Sequence, residues 1–254
     1  MKINKINNID CIEGMRQLVE NNEKFDLILT SPPYNIENFH ANLVKYDNYR
    51  GNDMNEACYQ TWQLECLNLM YKLLKNKGSL WYNHKVRIKN GKAIHPLEWI
   101  FQSEFILKQE IVWNQQRGAN TDKIRCFPFS ERIYWLTKDP QVKIFNSENV
   151  RDVWDIVPKH KRKEMGHPAV MAIEVSELIY KLHEQEHKNK VIKVLDPFAG
   201  VGTSFIPIVT LDNYEFVGLE INKKYCELGN KRIKICKEEH DFANKQTTLF
   251  ELMN

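Results

Sequence analysis

The chain has 254 residues, of which 43% are hydrophobic and 27% are charged, and its formal net charge at pH 7 is only +3. This balance is ordinary for a globular protein with a sizeable core, and it excludes a polycation that would bind nucleic acid through bulk charge. No apolar run is long enough to cross a bilayer, and the N-terminus lacks the apolar core of a signal peptide, so we expect a cytoplasmic protein.

Apolar runs alternate with helical patterns, which predicts an α/β fold with a doubly wound, mostly parallel sheet in a single domain over residues 1–254. The first clear strand, residues 25–29, ends at the string Thr30-Ser31-Pro32-Pro33-Tyr34-Asn35. Residues 35–57 follow without sustained periodicity and predict a long, mobile loop. A helix over residues 57–75 then comes before Gly78, and the next strand covers residues 79–82.

The second half of the chain continues the alternation of helices and strands. In chain order we expect a helix from Pro96 through Phe101, strands at 108–113 and 131–136 joined by a hairpin-like loop at 114–127, a weakly periodic segment at 139–166, a helix from Pro168 to Leu182, a strand at 191–195 with a glycine turn and helix after it, a strand at 214–219, and a basic helix from near Asn222.

The six cysteines stand at positions 11, 58, 66, 126, 226 and 236. They form no Cys-x-x-Cys pair, and no cysteine–histidine cluster has the spacing of a zinc site. A disulfide framework is not expected in a chain of this size without an export signal. We therefore expect reduced thiols and no metal site.

The turn after residues 191–195 reads Asp196-Pro197-Phe198-Ala199-Gly200-Val201-Gly202-Thr203. Its glycines allow a tight turn close to a ligand, and a helix opening there would direct free N–H groups at the same place. Glu220 ends the next strand about 20 residues on, where nucleotide-binding folds place an acid for the ribose hydroxyls. A solvated strand-end acid is the alternative for Glu220. A dinucleotide is disfavoured, because the turn does not read G-x-G-x-x-G.

These strings resemble the DNA amino-methyltransferases that depend on S-adenosylmethionine. The glycine turn followed by Gly218-Leu219-Glu220 is similar to their cofactor motif, and Ser31-Pro32-Pro33-Tyr34 is similar to their catalytic motif. The catalytic string comes first, as in the permuted β class of that family. The resemblance implies a Rossmann-like methyltransferase fold with a small target-recognition insertion, S-adenosylmethionine as cofactor and double-stranded DNA as substrate.

The resemblance also implies which residues hold the cofactor. Asn8-Ile9-Asp10-Cys11 is similar to the family's G-D segment, with Ile9 in place of the glycine, and Gly166-His167-Pro168 resembles the segment beside the methionine end. The implied cofactor-binding residues are Asp10, Cys11, Thr30, His167, Asp196, Pro197, Phe198, Ala199, Gly200, Gly202, Thr203 and Glu220.

The catalytic residues implied by the resemblance are Ser31, Pro32, Pro33 and Tyr34. An exocyclic amine is a poor nucleophile because its lone pair is delocalised into the base. The Ser31 hydroxyl and the Pro32 carbonyl can each accept one amine N–H, and consecutive prolines hold that carbonyl in place. Tyr34 would stack on a base flipped out of the duplex. For a lone Pro-Pro-Tyr string, a strand-ending turn with a core aromatic is the simpler interpretation.

Serine at the first motif position favours cytosine N4 as the methylated atom, whereas an aspartate in the resembling family usually accompanies adenine N6. Adenine N6 is therefore the alternative. The expected contacts to DNA phosphates are Lys85, Arg87, Arg117, Lys161 and Arg162, although such basic clusters are as often a solvated face. Sequence readout falls to the loops 35–57 and 114–127 and to the segment 139–166.

Three other classes of protein compete with this interpretation. A methyltransferase acting on RNA or on a protein glutamine would carry its cofactor motif ahead of its catalytic string. An inactive nucleic-acid-binding subunit would be expected to lack Tyr34, a loop glycine or Glu220, and all are present. A nicotinamide oxidoreductase would need a different glycine fingerprint. The remaining expected partners are a restriction endonuclease encoded nearby and, by analogy with similar enzymes, a second copy of the chain.

Overall fold

The computed structural model describes residues 1–36, 54–116, 125–126, 128–159, 170–184 and 190–252. Across these residues no helix has the length and apolar character needed to span a bilayer. The elements are β1 (Lys5–Asn8), α1 (Cys11–Glu20), β2 (Phe25–Thr30), α2 (Glu56–Leu73), β3 (Leu74–His84), β4 (Arg87–Lys89), β5 (Lys92–Ile94), α3 (Leu97–Ile100), β6 (Ile106–Asn114), β7 (Ser130–Thr137), β8 (Val153–Asp155), α4 (Ile173–His183), β9 (Ile192–Asp196), β10 (Tyr214–Glu220) and α5 (Lys223–Leu252).

Eight of these strands form one sheet in the order β1-β10-β9-β2-β3-β7-β6-β8. The neighbours from β1 to β3 all pair in parallel. Strand β7 pairs antiparallel with both β3 and β6, whereas β8 pairs in parallel with β6. One strand of the eight is therefore reversed, and the expectation of an α/β fold with a mostly parallel sheet is confirmed.

The sheet has a hydrophobic core on each face, because its central strands are apolar on both sides. All six residues of β2 are buried, as expected for a strand covered on both faces. Leu27 and Leu29 lie in one core with Ile179 of α4. Ile28 lies in the other core with Met70 of α2. Helices pack on both faces, which is the doubly wound arrangement predicted from the sequence.

Two predicted helices have different bounds in the structure. The helix expected over residues 57–75 ends at Leu73, and Gly78 lies inside β3. The reason is that Leu74 is extended and pairs with Phe25 of β2, so sheet pairing overrides helical periodicity. The helix expected from Pro168 begins only at Ile173, after Ala172 in an extended conformation. Residues 160–169 lie outside the described part of the chain.

The α-helix expected directly after the glycine turn is replaced by turns and one 3-10 turn at Ile206–Ile208. Gly200 and Gly202 have φ values of 51° and 76°, which are incompatible with a right-handed helix. A proline in the 3-10 turn removes one further N–H donor. The expectation that a helix N-terminus directs its N–H groups at the ligand is therefore wrong.

The structure adds two features in regions that the sequence pattern described only as basic or weakly periodic. Strands β4 and β5 form a hairpin whose turn places Asn90 and Gly91 at positive φ, the signature of a type I′ turn. Within the segment 139–166, β8 joins β6 at the edge of the main sheet, and Trp154 is buried.

The hairpin-like connection expected between β6 and β7 agrees with their antiparallel pairing. Residues 117–124 and 127 of that connection lie outside the described residues.

Candidate active site

The strings that end β2 and β9 meet at the carboxyl ends of these two central strands. The two strands are neighbours, and Leu27 and Ile28 pair in parallel with Val194 and Leu195. At the strand ends the Thr30 hydroxyl donates a hydrogen bond of 2.7 Å to Oδ1 of Asp196, and both residues are buried. The catalytic and glycine-containing strings, more than 160 positions apart, therefore lie side by side where open α/β sheets bind ligands.

Asp196 organises the turn that follows it. Its carboxylate accepts hydrogen bonds from the Ser204 hydroxyl at 2.6 Å and from the Phe198 N–H at 3.0 Å, in addition to the bond from Thr30. Burial raises the pKa of Asp196 to about 6, and these three donors oppose that shift only in part. The side chains of Asp196 and Thr30 thus join the two strings to each other.

Glu220 fastens the glycine turn from the neighbouring strand. Its Oε2 accepts the Gly200 N–H at 2.9 Å and its Oε1 accepts the Asn222 N–H at 2.7 Å. Glu220 is only 3% exposed, so it is not the solvated strand-end acid that the sequence left as an alternative. Hydrogen bonds to a carboxylate are among the stronger ones, which makes the conformation at Gly200 and the position of Glu220 depend on each other.

The other predicted cofactor residues divide between strand ends and core. Asn8 pairs with Glu220, so Asp10 begins α1 beside that acid, and its carboxylate caps the helix by accepting the Ile12 and Glu13 N–H groups. The Cys11 side chain is buried in the core and contacts the Cys66 thiol. Among the other predicted cofactor residues, Pro197 and Ala199 are buried. The Thr203 hydroxyl accepts a hydrogen bond from Arg232 of α5. His167 lies outside the described residues.

Four side-chain oxygens form a cluster at residues 31–34, the loop after β2 that the sequence predicts to be catalytic and that is called the catalytic loop below. The Ser31 Oγ lies 2.9 Å from Tyr34 Oη and 3.0 Å from Asn83 Oδ1. Tyr34 Oη lies 2.8 Å from the same Asn83 oxygen and 2.9 Å from Oε2 of Glu131. We call these four atoms the oxygen cluster; they come from the loop after β2, the end of β3 and the start of β7.

The oxygen cluster contains more acceptor sites than donors. Ser31 and Tyr34 bring one hydroxyl proton each, whereas Asn83 and the Glu131 carboxylate bring only acceptor oxygens. The amide of Asn83 is oriented by its Nδ2, which donates to the Arg132 carbonyl at 3.0 Å. Two protons shared among four oxygens leave lone pairs that a ligand with N–H donors can satisfy.

The aromatic ring of Tyr34 lies against a buried histidine. The ring centroids of Tyr34 and His84 are 4.7 Å apart at an interplanar angle of 42°. Burial, reinforced by the Glu131 carboxylate, raises the pKa of Tyr34 well above its usual range. The phenol therefore keeps its proton and acts as a neutral donor.

His84 gives the site a measurable pH dependence. Burial lowers the pKa of His84 from 6.5 to about 3, so the unfolded chain takes up a proton first as the pH falls. Neutral His84 thus contributes stability above pH 6.5, and this contribution is lost progressively towards pH 3. Between pH 7.5 and pH 5 we expect the wild type to lose about 2 kcal/mol more unfolding free energy than His84→Gln, measured by denaturant titration. Equal losses in the two proteins would contradict this prediction.

The sequence-based reasoning missed Asn83, His84 and Glu131. The first two are the last residues of β3, which pairs with β2 in the register Thr30 to Tyr82, so their position at a strand end next to the catalytic string was an available signal. No local signal marked Glu131, because it reaches the site only through the reversal of β7, which brings the start of that strand to this edge.

Arg87, predicted to contact DNA, has a different role in the structure. It is 6% exposed and forms a bidentate ion pair with Glu56, with distances of 2.7 and 2.8 Å. A guanidinium held in this way in the core is not available to a phosphate, so the prediction is corrected. Lys85 is half-buried, and the predicted contacts Arg117, Lys161 and Arg162 lie outside the described residues.

Asn35 and Met54, which lie before and after residues 37–53, are hydrogen-bonded to each other beside the catalytic loop. The Asn35 side-chain amide donates to the Met54 carbonyl and accepts the Met54 N–H, both at 2.9 Å. Asn35 has a φ of 52°, a conformation that asparagine tolerates better than most residues. Most of the predicted loop 35–57 lies outside the described residues.

Comparisons with known proteins identify relatives of the chain. Residues 25–231 match the DNA methylase family N6_N4_Mtase. The chain is 26% identical to the type II methyltransferase M.BglII of Bacillus subtilis, covering 96% of this chain and 73% of that protein. It is 31% identical to the orphan methyltransferase M.BamHII of Bacillus amyloliquefaciens, covering 82% of this chain and 88% of that protein.

Solved structures share the fold at low sequence identity. The structure described as PvuII DNA methyltransferase (cytosine-N4-specific) has a TM-score of 0.67 and 17% identity, covering 92% of this chain and 93% of that chain. The complex of M1.HpyAVI with SAM has a TM-score of 0.62 and 22% identity, covering 90% and 98%. Both matches cover at least 90% of this chain.

Proposed function

The chain belongs to the N6/N4 DNA methylase family, whose members depend on S-adenosylmethionine, and from this premise we propose that it methylates the N4 amine of cytosine in duplex DNA. Adenine N6 is the alternative acceptor. The target base is flipped out of the duplex, because its amine cannot be reached inside the stacked helix.

The observation that carries the proposal is the oxygen cluster. An exocyclic amine has two N–H donors and a lone pair delocalised into the base, so acceptors that hold both N–H bonds draw its nitrogen towards a tetrahedral shape. Ser31 Oγ provides one acceptor in the cluster, and the Pro32 carbonyl in the same rigid loop provides the second. The Glu131 carboxylate supplies negative charge near the nitrogen on which positive charge develops.

The residues around the glycine turn fit an adenosyl cofactor. The indole Nε1 of Trp62 is buried and has no hydrogen-bond partner in the described part of the chain, while its ring contacts Phe198 of the turn edge to face. A buried donor without a partner fits a ligand rich in acceptors, such as a nucleoside. Glu220 and the turn from Phe198 to Gly202 would hold the cofactor, with Asp10 beside them. When bound, S-adenosylmethionine supplies an electrophilic methyl group on sulfur.

Ser31 supports the choice of cytosine over adenine. A serine at this motif position usually accompanies cytosine N4 methylation in the family that the chain resembles. Its hydroxyl is neutral. The anionic group of the oxygen cluster is the Glu131 carboxylate, which is joined to Ser31 by the Tyr34 hydroxyl between them. The Glu131 carboxylate can accept an N–H from either amine, so the choice of cytosine rests on Ser31.

The β4–β5 hairpin is the proposed contact with the DNA backbone. Its register places Lys89 directly opposite Lys92, so two cationic side chains stand together on this hairpin. The hairpin follows His84, which contacts Tyr34, so it lies next to the catalytic loop. Lys85, Lys89 and Lys92 take the phosphate-binding role that Arg87 cannot have. We further propose cytoplasmic action beside a cognate endonuclease, in keeping with the type II relatives.

Mass spectrometry of nucleosides tests the proposed function. The protein is incubated with S-adenosylmethionine and unmethylated duplex DNA of mixed sequence, and the DNA is then digested to nucleosides. We expect N4-methylcytosine. Recovery of N6-methyladenine would show that the base assignment is wrong, and no methylated nucleoside from any DNA would favour an inactive binding subunit. Ser31→Ala provides the matched control and is expected to yield far less product.

A further inference from the structure

A chain of buried hydrogen bonds ends on the catalytic loop. Trp99 Nε1 donates to the Tyr82 hydroxyl at 3.1 Å, and Tyr82 donates to Gln63 Oε1 at 2.6 Å. The other end of that amide, Gln63 Nε2, donates to the Tyr59 hydroxyl at 3.0 Å. Tyr59 in turn donates to the Pro33 carbonyl at 2.6 Å. We call these four residues the Tyr59 chain; all are fully buried.

The contact between Tyr59 and Pro33 determines the direction of the last bond. Two oxygen atoms 2.6 Å apart must share a proton, and a proline carbonyl has none to give. Tyr59 is therefore the donor to Pro33. Burial raises the pKa of Tyr59 well above its usual range, so the hydroxyl keeps that proton. Gln63 supplies one donor to the Tyr59 oxygen, which still has a second lone pair to satisfy.

His84 supplies the second donor to Tyr59. Its Nε2 lies 2.7 Å from the Tyr59 hydroxyl, whose only proton is already given to Pro33, so Nε2 must carry a hydrogen. Its Nδ1 lies 2.8 Å from the Lys85 N–H and 2.9 Å from the Lys85 carbonyl. With Nε2 protonated, neutral His84 accepts the Lys85 N–H at Nδ1. Every hydrogen-bonding site of the Tyr59 hydroxyl is then satisfied.

The buried ion pair of Arg87 supports the ring of Tyr59. The Arg87 Cζ lies 4.7 Å from the Tyr59 ring centroid and 5.7 Å from that of Trp99. A cation over the ring makes the phenol a better hydrogen-bond donor and holds the ring in place. Glu56 fixes Arg87 through its two terminal guanidinium nitrogens, so the ion pair holds the cation over the Tyr59 ring.

We propose that Tyr59 is a positioning residue for methyl transfer, which rests on the proposed function. By binding the Pro33 carbonyl it fixes the Pro33–Tyr34 peptide, and the two proline rings carry this constraint back to the Pro32 carbonyl and to Ser31. The acceptors for the substrate amine are thereby held in place before DNA binds. His84 acts with Tyr59, because it contacts both the Tyr59 hydroxyl and the Tyr34 ring.

Tyr59→Phe tests this role, because it removes only the hydroxyl. With DNA and S-adenosylmethionine saturating, we expect the single-turnover rate of methyl transfer to fall about 10- to 100-fold, as is typical when a supporting hydrogen bond is removed. Cofactor affinity by calorimetry and DNA affinity by anisotropy are expected to change by less than about threefold. A loss confined to the transfer step is not the effect of general destabilisation.

Tyr134→Phe is the matched control. Tyr134 is also fully buried, and its hydroxyl has no hydrogen-bond partner among the described residues. The same chemical change there is expected to leave the single-turnover rate at the wild-type value. Equal rates in Tyr59→Phe and the wild type would overturn the proposal, and so would equal losses in the two variants.

Nitrogen NMR of the wild type provides a readout that does not depend on activity. In protein labelled with ¹⁵N at its eight histidines, the His84 signals, assigned with His84→Gln, are expected to show a protonated Nε2 and an unprotonated Nδ1. A protonated Nδ1 would mean that Tyr59 donates to His84 instead of Pro33, which would overturn the proposal. If no DNA is methylated by the wild type, the proposed function fails, whereas these signals still decide the direction of the Tyr59 bond.

Discussion

Gly200→Val is expected to lower the affinity for S-adenosylmethionine by about 100-fold or more. Gly200 has a φ of 51°, and a β-branched residue in this left-handed region is strained by about 1–2 kcal/mol. Relaxing the strain breaks the bond from the Gly200 N–H to Glu220, and a hydrogen bond to a charged group contributes about 1.5–3 kcal/mol. The larger of these two costs, about 3 kcal/mol, corresponds to about two powers of ten in Kd.

Isothermal titration calorimetry with S-adenosylmethionine measures this loss directly. Gly91→Val is the matched control, because Gly91 has a φ of 76° at the tip of the β4–β5 hairpin and an added Cβ there meets nothing within 4 Å. It carries the same kind of backbone strain away from the glycine turn, and its cofactor affinity is expected to equal that of the wild type. Wild-type affinity in Gly200→Val would show that the turn does not hold the cofactor.

Tyr34→Ala is expected to lower kcat/KM for DNA by about 100-fold while cofactor affinity stays close to that of the wild type. Stacking of a base on an aromatic ring contributes about 1–3 kcal/mol, which offsets much of the cost of flipping the base. The substitution also removes the hydroxyl that joins Ser31 to Glu131. Single-turnover kinetics and calorimetry on the same preparation separate the two effects.

Tyr34→Phe distinguishes the ring from the hydroxyl. It keeps the stacking surface and the contact with His84 but removes one donor from the oxygen cluster, so we expect base binding to be retained and the transfer rate to fall. Fluorescence of 2-aminopurine at the target position reports flipping of the base. A large loss of cofactor affinity in Tyr34→Ala would contradict the stacking role.

Local pattern was sufficient to predict the strands that carry the two strings. The apolar runs at 25–29 and 191–195 predicted β2 and β9, and the position of Glu220 about 20 residues after the glycine turn predicted an acid beside that turn. These predictions succeeded because buried parallel strands are continuous apolar runs, and because connections in α/β units are short.

Predictions that used the type of a residue, without knowing which residue it contacts, were less successful. Arg87 lies among lysines and was interpreted as a surface cation, whereas Glu56, 31 positions away, holds it in the core. The helix predicted after the glycine turn does not form, because two positive φ values and a proline oppose it. In each case the deciding interaction involves residues or conformations that apolar periodicity does not report.

The order of the strings, the apolar strands and the serine of the catalytic loop are properties of the sequence itself, and they determined the fold class and the family. Only the tertiary structure brought Asn83, Glu131 and Tyr59 to the catalytic loop, from a strand end, a reversed strand and a helix. The physical reason is the separation along the sequence between the residues that interact. Backbone conformation and burial follow from neighbouring residues, whereas a hydrogen-bonded site is assembled from groups that meet only when the sheet has formed.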